Sequence, residues 1–231
     1  MHLLINKKKI YFYLIILIIL NSAFNTNIIS NYKNLIKIKN IEISGLSITE
    51  QKKVKKNLEV FKNKNIFLIK KNEIKDVLNS FNFINYFTIN KNFPSKIKIF
   101  IQKTDLLGVT FINENKFYIG ENGKFISISN TENIKKLPLV FGKFPINEFL
   151  ELHQKIIHLK ISNEKIKKFY YFQSKRWDIE FESGKKLKLP IKNVEYALRI
   201  FNTLKDKKEF VSSDIIDLRL NDKIVVSNEK K

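Results

Sequence analysis

A chain of 231 residues with 44% hydrophobic side chains and no cysteine can bury one or two cores, but it has no disulfides, thiolate chemistry or cysteine-based metal sites. Its formal net charge of +21 comes from lysines scattered along the whole length, and only Arg176, Arg199 and Arg219 supply guanidinium groups. That scatter argues against nucleic-acid binding, because base readers gather Lys and Arg into one patch and favour Arg for bidentate contacts.

A solvated basic surface, or attraction to anionic lipid headgroups, accounts for the same charge. At the N-terminus Lys7-Lys8-Lys9 precede an unbroken apolar run, Ile10 to Leu20, followed by Asn21-Ser22-Ala23. The run is shorter than the ~20 residues of a spanning helix and fits the ~7–15 of a signal-peptide core. The cleavage site is poor, however, since Asn21 stands where a small residue is wanted. A helix extended to Ile29 and a cleaved signal both remain open on these residues. In either case the lysines place the N-terminus in the cytoplasm, and the chain after about Ser30 is expected outside it.

From Ile36 to Gln102 the pattern predicts a β-α-α-β-β unit. Ile36, Ile38, Ile41 and Ile43 mark a strand whose alternation slips once near Asn40, and Ser44-Gly45-Leu46 permits a sharp turn. Ser47 and Glu50 stand at capping-box spacing. Val54, Leu58 and Phe61 give one helix face, and Ile74, Val77, Leu78 and Phe81 a second. Two strands, Ile84–Asn90 and Lys96–Gln102, close the unit around a turn at Phe93-Pro94-Ser95. Ile97, Ile99 and Ile101 alternate with Lys96, Lys98 and Gln102.

Beyond Gln102 short strands predominate. Val109 and Phe111 lead to a polar turn at Asn113-Glu114-Asn115, and the Asn122-Gly123 pair suits a hairpin needing positive φ. Leu137 to Gly142 reads as a buried connection. Ile146, Phe149, Leu150, His153, Ile156, Ile157 and Leu159 define an amphipathic helix. Strands are expected at Ile166–Gln173, Arg176–Glu182 and Lys185–Leu189, with Trp177 in the core. A helix follows on Val194, Ala197, Leu198, Phe201 and Leu204. The last two strands are Ile215–Leu220 and Ile224–Ser227, joined near Asn221-Asp222-Lys223.

Chemistry-bearing constellations are scarce. His153 and His158 lie five apart on one helix, which turns them away from each other, and no phosphate loop, nucleophile elbow or His-Glu-x-x-His stretch occurs. Asp217 and Asp222 fit a strand and its turn better than a catalytic pair. Lys175 and Arg176 read equally as surface charge or as a partner contact. A terminal strand pair suggests an edge able to accept another strand, with Arg219, Leu220, Ile224, Val225 and Val226 as its contact residues. Lys175 and Arg176 on a neighbouring strand would then meet acidic groups at its rim.

The order of these motifs resembles the FtsQ/DivIB family of bacterial cell-division proteins from about Lys7 to Ser227. The resemblance rests on Ile41-Glu42-Ile43-Ser44-Gly45, Asn65-Ile66-Phe67, and Phe83-Ile84 through Phe93-Pro94 with Ile97–Ile101. It continues through Ile119–Gly123, Leu137-Pro138 to Gly142, Arg176-Trp177 with Gly184-Lys185-Lys186-Leu187, and Asp217-Leu218-Arg219-Leu220 with Val225-Val226. Two departures stand out: Gln102-Lys103-Thr104-Asp105 lacks the family's proline, and Leu220 replaces its tyrosine.

The resemblance implies an α+β chain with a cytoplasmic tail (1–9), a single uncleaved transmembrane helix (10–29) and a β-α-α-β-β POTRA domain (36–103). A mostly antiparallel β-domain with flanking helices (104–227) and a tail (228–231) complete it. It further implies a non-enzymatic, single-pass inner-membrane protein, the bulk of it periplasmic, that links early division proteins to septal peptidoglycan synthesis. Its partners would be an FtsB–FtsL-like pair, with other division proteins met through the POTRA domain. No cofactor, metal, small-molecule substrate or nucleic acid is implied. The alternatives are a POTRA-bearing protein of a secretion or outer-membrane assembly system, a membrane-anchored enzyme, and a basic polyanion binder.

Overall fold

The computed structural model describes residues 7–23, 34–128, 137–161, 165–220 and 223–228. It divides into two compact units, Met1–Lys103 and Thr104–Lys231.

The first unit begins with α1 (Lys7–Ala23), whose Ile10 to Leu20 side chains are all exposed. This helix corrects the expectation of a transmembrane anchor over 10–29. Its 17 residues, three of them lysines at the start, rise only about 26 Å at ~1.5 Å each, against a hydrocarbon core of ~30 Å. Among the described residues no helix is long and apolar enough to cross a membrane. The single-pass inner-membrane topology inferred from that anchor falls with it. Residues 24–29 of the expected span lie outside the described residues, as do 1–6.

The remainder of the unit is β1 (Asn40–Ser44), α2 (Ile48–Leu58), a 3₁₀ turn (Glu59–Phe61), α3 (Lys71–Asn79), β2 (Ile84–Asn92) and β3 (Lys96–Lys103). β3 is central, parallel to β1 and antiparallel to β2. The slip in alternation near Asn40 marks a change of partner. Before it, Ile38 bonds Lys64 and Asn63 through its backbone; after it, Asn40 to Ser44 pair with Lys96 to Phe100.

Gly45 makes the turn into α2 at φ +88°, and a Cβ there would collide with the Ile101 carbonyl oxygen. The expected capping box forms. Ser47 Oγ accepts from Glu50 N–H at 3.4 Å, and the Ser47 N–H donates to Glu50 Oε2 at 3.1 Å. Val54, Leu58, Ile74 and Leu78 pack against Ile97, Ile99 and Ile101, all buried, so each isoleucine of β3 contributes roughly 1.5–3 kcal/mol before entropy.

The second unit contains β4 (Leu106–Ile112), β5 (Asn115–Gly120), β6 (Phe125–Ser127), β7 (Leu139–Phe141), α4 (Ile146–His158) and β8 (Ile166–Tyr171). It continues with β9 (Trp177–Phe181), β10 (Lys186–Lys188), α5 (Val194–Leu204), α6 (Lys208–Val211), β11 (Ile215–Leu220) and β12 (Lys223–Ser227). The strands form one sheet in the order β12-β11-β10-β9-β8-β7-β4-β5-β6. Five pairings are antiparallel, but β4–β7, β7–β8 and β10–β11 are parallel, so the sheet is more mixed than expected. The segment read as a buried connection holds β7, parallel to both its neighbours. α6, whose Phe210 is buried, is an element the apolar spacing did not announce.

Strand register sorts the sheet into rows. Thr110, Val140, Phe169, Ile179, Leu187, Ile216 and Val226 lie side by side across seven strands. Against this row pack Phe149, Leu152 and Ile156 of α4 and Ala197, Leu198 and Phe201 of α5, forming one core. Trp177 sits in it at 4% exposure, with the rings of Tyr171, Phe144 and Phe149 4.8, 5.5 and 5.9 Å away.

Candidate functional site

The apolar row leads outward to the end of the sheet. Ile216 and Leu218 on β11 are buried, but β12 beyond them is exposed at all five positions. Ile224, Val225 and Val226 stand 41%, 47% and 40% exposed, and Leu220 at the end of β11 is 58% exposed. Among the described residues β12 pairs only with β11, through Ile215–Ser227, Ile216–Val226, Asp217–Val225 and Leu220–Lys223. Alternate N–H and C=O groups of β12 therefore point away from the sheet. Two residues of β11, Leu218 and Arg219, oppose the single Ile224, a bulge that increases the local twist. The joint expected at Asn221-Asp222-Lys223 falls on residues 221 and 222, outside the described residues.

A hollow of about 380 Å³ borders this edge, lined by Pro190, Tyr196, Ile200, Leu218, Leu220 and Ile224. Tyr196 and Ile200 belong to α5, and the sequence reading passed over them. Their signal was there: two large apolar side chains four residues apart, off the stripe of Val194, Ala197, Leu198, Phe201 and Leu204. Tyr196 is 62% exposed, so α5 stops short of covering the edge.

The three basic residues assigned to the site have different surroundings. Arg219 is tied to its own strand: Nε reaches Asp217 Oδ1 and Oδ2 at 2.8 and 2.9 Å, and Nη2 reaches Oδ2 at 2.5 Å. Burial would push the Asp217 carboxyl up, but hydrogen bonds from the Arg219 side chain and backbone outweigh it and hold the group below its ordinary value. Arg176 lies over the Phe172 ring at 4.3 Å, with Nε 3.4 Å from Asp178 Oδ1. It precedes β9, so β10 and β11 separate it from β12, and it is not on the strand next to the edge. The structure does bring it to the edge region, because Arg176, Arg219 and Lys192 line a shared hollow of about 360 Å³ around Pro190. Lys175, in a left-handed turn at φ +61°, is exposed and lines a different hollow with Glu148 and Glu151.

Elsewhere on the open face of the sheet the charges are locally satisfied. Glu180 accepts from Tyr170 OH at 2.9 Å and lies 3.3 Å from Lys168 Nζ. His153 is half-buried against Phe149, and burial pushes its imidazole down despite Glu121. Among the described residues no group of three or more His, Asp or Glu is placed to hold a metal ion.

Comparison with known proteins gives this architecture a class. A family model described as "POTRA domain, FtsQ-type" matches residues 36–103, and one described as "Cell division protein FtsQ/DivIB, C-terminal" matches residues 110–219. Cell division protein FtsQ of Rickettsia bellii is 27% identical over 203 residues, covering 87% of this chain and 76% of its own length. That of Rhizobium meliloti is 20% identical over 191 residues, covering 82% and 62%. The major extracytoplasmic domain of DivIB from Geobacillus stearothermophilus overlays 45% of this chain and 92% of its own, with 13% identity and a TM-score of 0.34, too loosely to carry the fold.

A POTRA unit followed by an FtsQ/DivIB-type C-terminal unit is the build of a non-catalytic cell-division scaffold that acts through protein contacts. The chain belongs to the FtsQ/DivIB family.

Proposed function

We propose that this scaffold receives a strand from an FtsB-like partner of an FtsB–FtsL pair along β12, and so links early division proteins to septal peptidoglycan synthesis. The observation that carries this reading is the exposure of all five residues of β12, with no described strand beyond it. Ladder bonds to an added strand supply affinity without demanding a sequence, while side-chain pockets supply choice. Here the hollow between Tyr196, Leu220 and Ile224 offers such a pocket on the helix side. On the other face, Val225 lies beside Asp217, whose pairing with Arg219 sets a fixed ion pair at the rim. Leu220, where the family carries tyrosine, keeps the pocket apolar but removes a phenolic hydroxyl. The first unit fits docking of further division proteins, in keeping with its POTRA match.

Two proline variants test the edge. Successive residues of a paired strand point their N–H groups to opposite sides, so of Ile224→Pro and Val225→Pro one removes an outward donor and the other breaks the β11 ladder. Calorimetric titration with the FtsB–FtsL-like pair should show the outward-donor variant weakened about tenfold or more, with its melting temperature nearly unchanged. Undiminished affinity in both folded variants removes β12 as the site. Charge reversal at Arg176 should cost less than either proline and depend on salt, as rim charges act mainly on encounter.

A further inference from the structure

We propose that one end of the first unit, carrying Phe67, Leu68 and Phe93, docks on an anionic lipid surface. The argument begins with exposure. Phe67, Leu68 and Phe93 are 59%, 76% and 56% exposed, while Ile66 and Ile69 on either side of the first pair are 0% and 4%. The two isoleucines pin the turn into the core, so the residues between them are held outside it. The turn is also firmly bonded. Asn65 Oδ1 accepts from Phe67 N–H at 2.9 Å, and the Asn65 carbonyl accepts from Leu68 and Ile69 at 3.1 and 3.3 Å.

Lys91 of β2 then reaches across to the carbonyls of Ile66 and Ile69 at 2.8 and 2.5 Å. Phe93, two residues on, stacks on Phe67 with ring centroids 4.6 Å apart. Three apolar side chains are thus presented from a braced turn, with much of their ordering already done.

The charge around them is mostly basic, with Glu73 held on the Lys70 N–H at 2.9 Å and Glu42 paired with Lys96. Residues 36–39, 62–71 and 91–96 are joined here by the Ile38–Lys64, Ile38–Asn63 and Lys39–Ser95 backbone bonds. They contain eight lysines and no acidic residue. Lys91 is spent on carbonyls and Lys96 on Glu42, while Lys39, Lys62, Lys70 and Lys71 are exposed. Protein interfaces deplete lysine at their centres. Apolar residues set in a lysine field instead match a phospholipid surface, where rings enter the headgroup boundary and ammonium groups meet anionic lipid. This contact needs no spanning segment, and it is independent of the β12 proposal.

The test places a reporter in the full chain. Phe67→Trp puts an indole at the tip, and the only other tryptophan, Trp177, is 4% exposed and gives a constant background. With phosphatidylcholine vesicles containing phosphatidylglycerol, the emission should shift to the blue and be quenched by brominated acyl chains. With phosphatidylcholine alone neither should occur. The exposed apolar α1 can carry the chain onto either vesicle, so co-sedimentation does not discriminate and the local emission does. Adding Lys62→Glu and Lys71→Glu should weaken the anionic response about thirtyfold or more. Emission unmoved on anionic vesicles that carry the protein down overturns the proposal. An equal shift on both lipids overturns it too, since charge would then not direct the contact.

Discussion

β9 and β12 are both five residues long and lie in the same sheet, yet every residue of β9 is buried and every residue of β12 is exposed. Composition runs the other way. β9 includes Asp178 and Glu180, whereas β12 offers Ile224, Val225 and Val226. The difference is coverage. β9 has strands on both sides, α4 and α5 on one face, and a layer of long side chains, Tyr170, Lys168 and Arg176, over its carboxylates on the other. Among the described residues β12 has one neighbour. An apolar strand left bare at the end of a sheet is a place where another chain can finish the structure.

The hardest way to break this contrast is through the core. Trp177→Ala opens a cavity beneath four aromatic neighbours and should cost about 3–5 kcal/mol in chemical denaturation of the second unit. A cost under about 1 kcal/mol would mean that β9 does not hold the core. Next in size is Glu180→Ala, which strips the Tyr170 hydroxyl and Lys168 of their acceptor and should cost about 1–3 kcal/mol.

Acid separates two carboxylates on the open face by sign. Burial raises Asp178 above its ordinary value, with Arg176 only partly offsetting it, so the folded state binds its proton more tightly than the unfolded chain. That group adds stability as pH falls. Asp217 is depressed, so its contribution is present above its ordinary value and is lost as pH falls through the folded one. The pH dependence of melting should therefore flatten below about pH 4 in Asp217→Asn, and in Asp178→Asn lose the gain the parent makes on acidification just above about pH 4, between the ordinary carboxylate value and the raised one. The same slope in both variants would sink the assignment. Smallest of all, Val225→Thr should leave stability within about 0.5 kcal/mol of the parent, since the side chain buries little. A loss above about 2 kcal/mol would make β12 a core strand and erase the contrast.

How far the sequence could be read follows from the same physics. Ile97, Ile99 and Ile101 announced β3 because one face is buried and the other wet, and Ser47 with Glu50 announced α2 through chemistry confined to four residues. β7 escaped because three residues flanked by parallel strands carry no alternation to detect. Phe111, read with Val109 as leading to a polar turn, is 49% exposed and stacked on Phe141 outside the helix-covered face, a detail that spacing alone does not give. At the site, Leu220 and Ile224 to Val226 were legible as a terminal apolar strand. The place of Arg176 was not, because strand order is long-range information: residues 176 and 219 share a hollow that only the parallel β10–β11 pairing creates. The lysines and apolar run of α1 suggested a span, but over its described residues the helix is too short for one.

The single partner of β12 also has a kinetic consequence. A strand held by one neighbour, with little buried beneath it, can open locally without disturbing Phe169, Ile179 or Leu187. Its amide hydrogens should trade with deuterated solvent far sooner than those of β8 to β10. An added strand would lock those outward amides into a ladder, turning a fast-labelling strand into a slow one. Residues 223–227 would then report occupancy by their own labelling rate, with no probe attached to either chain.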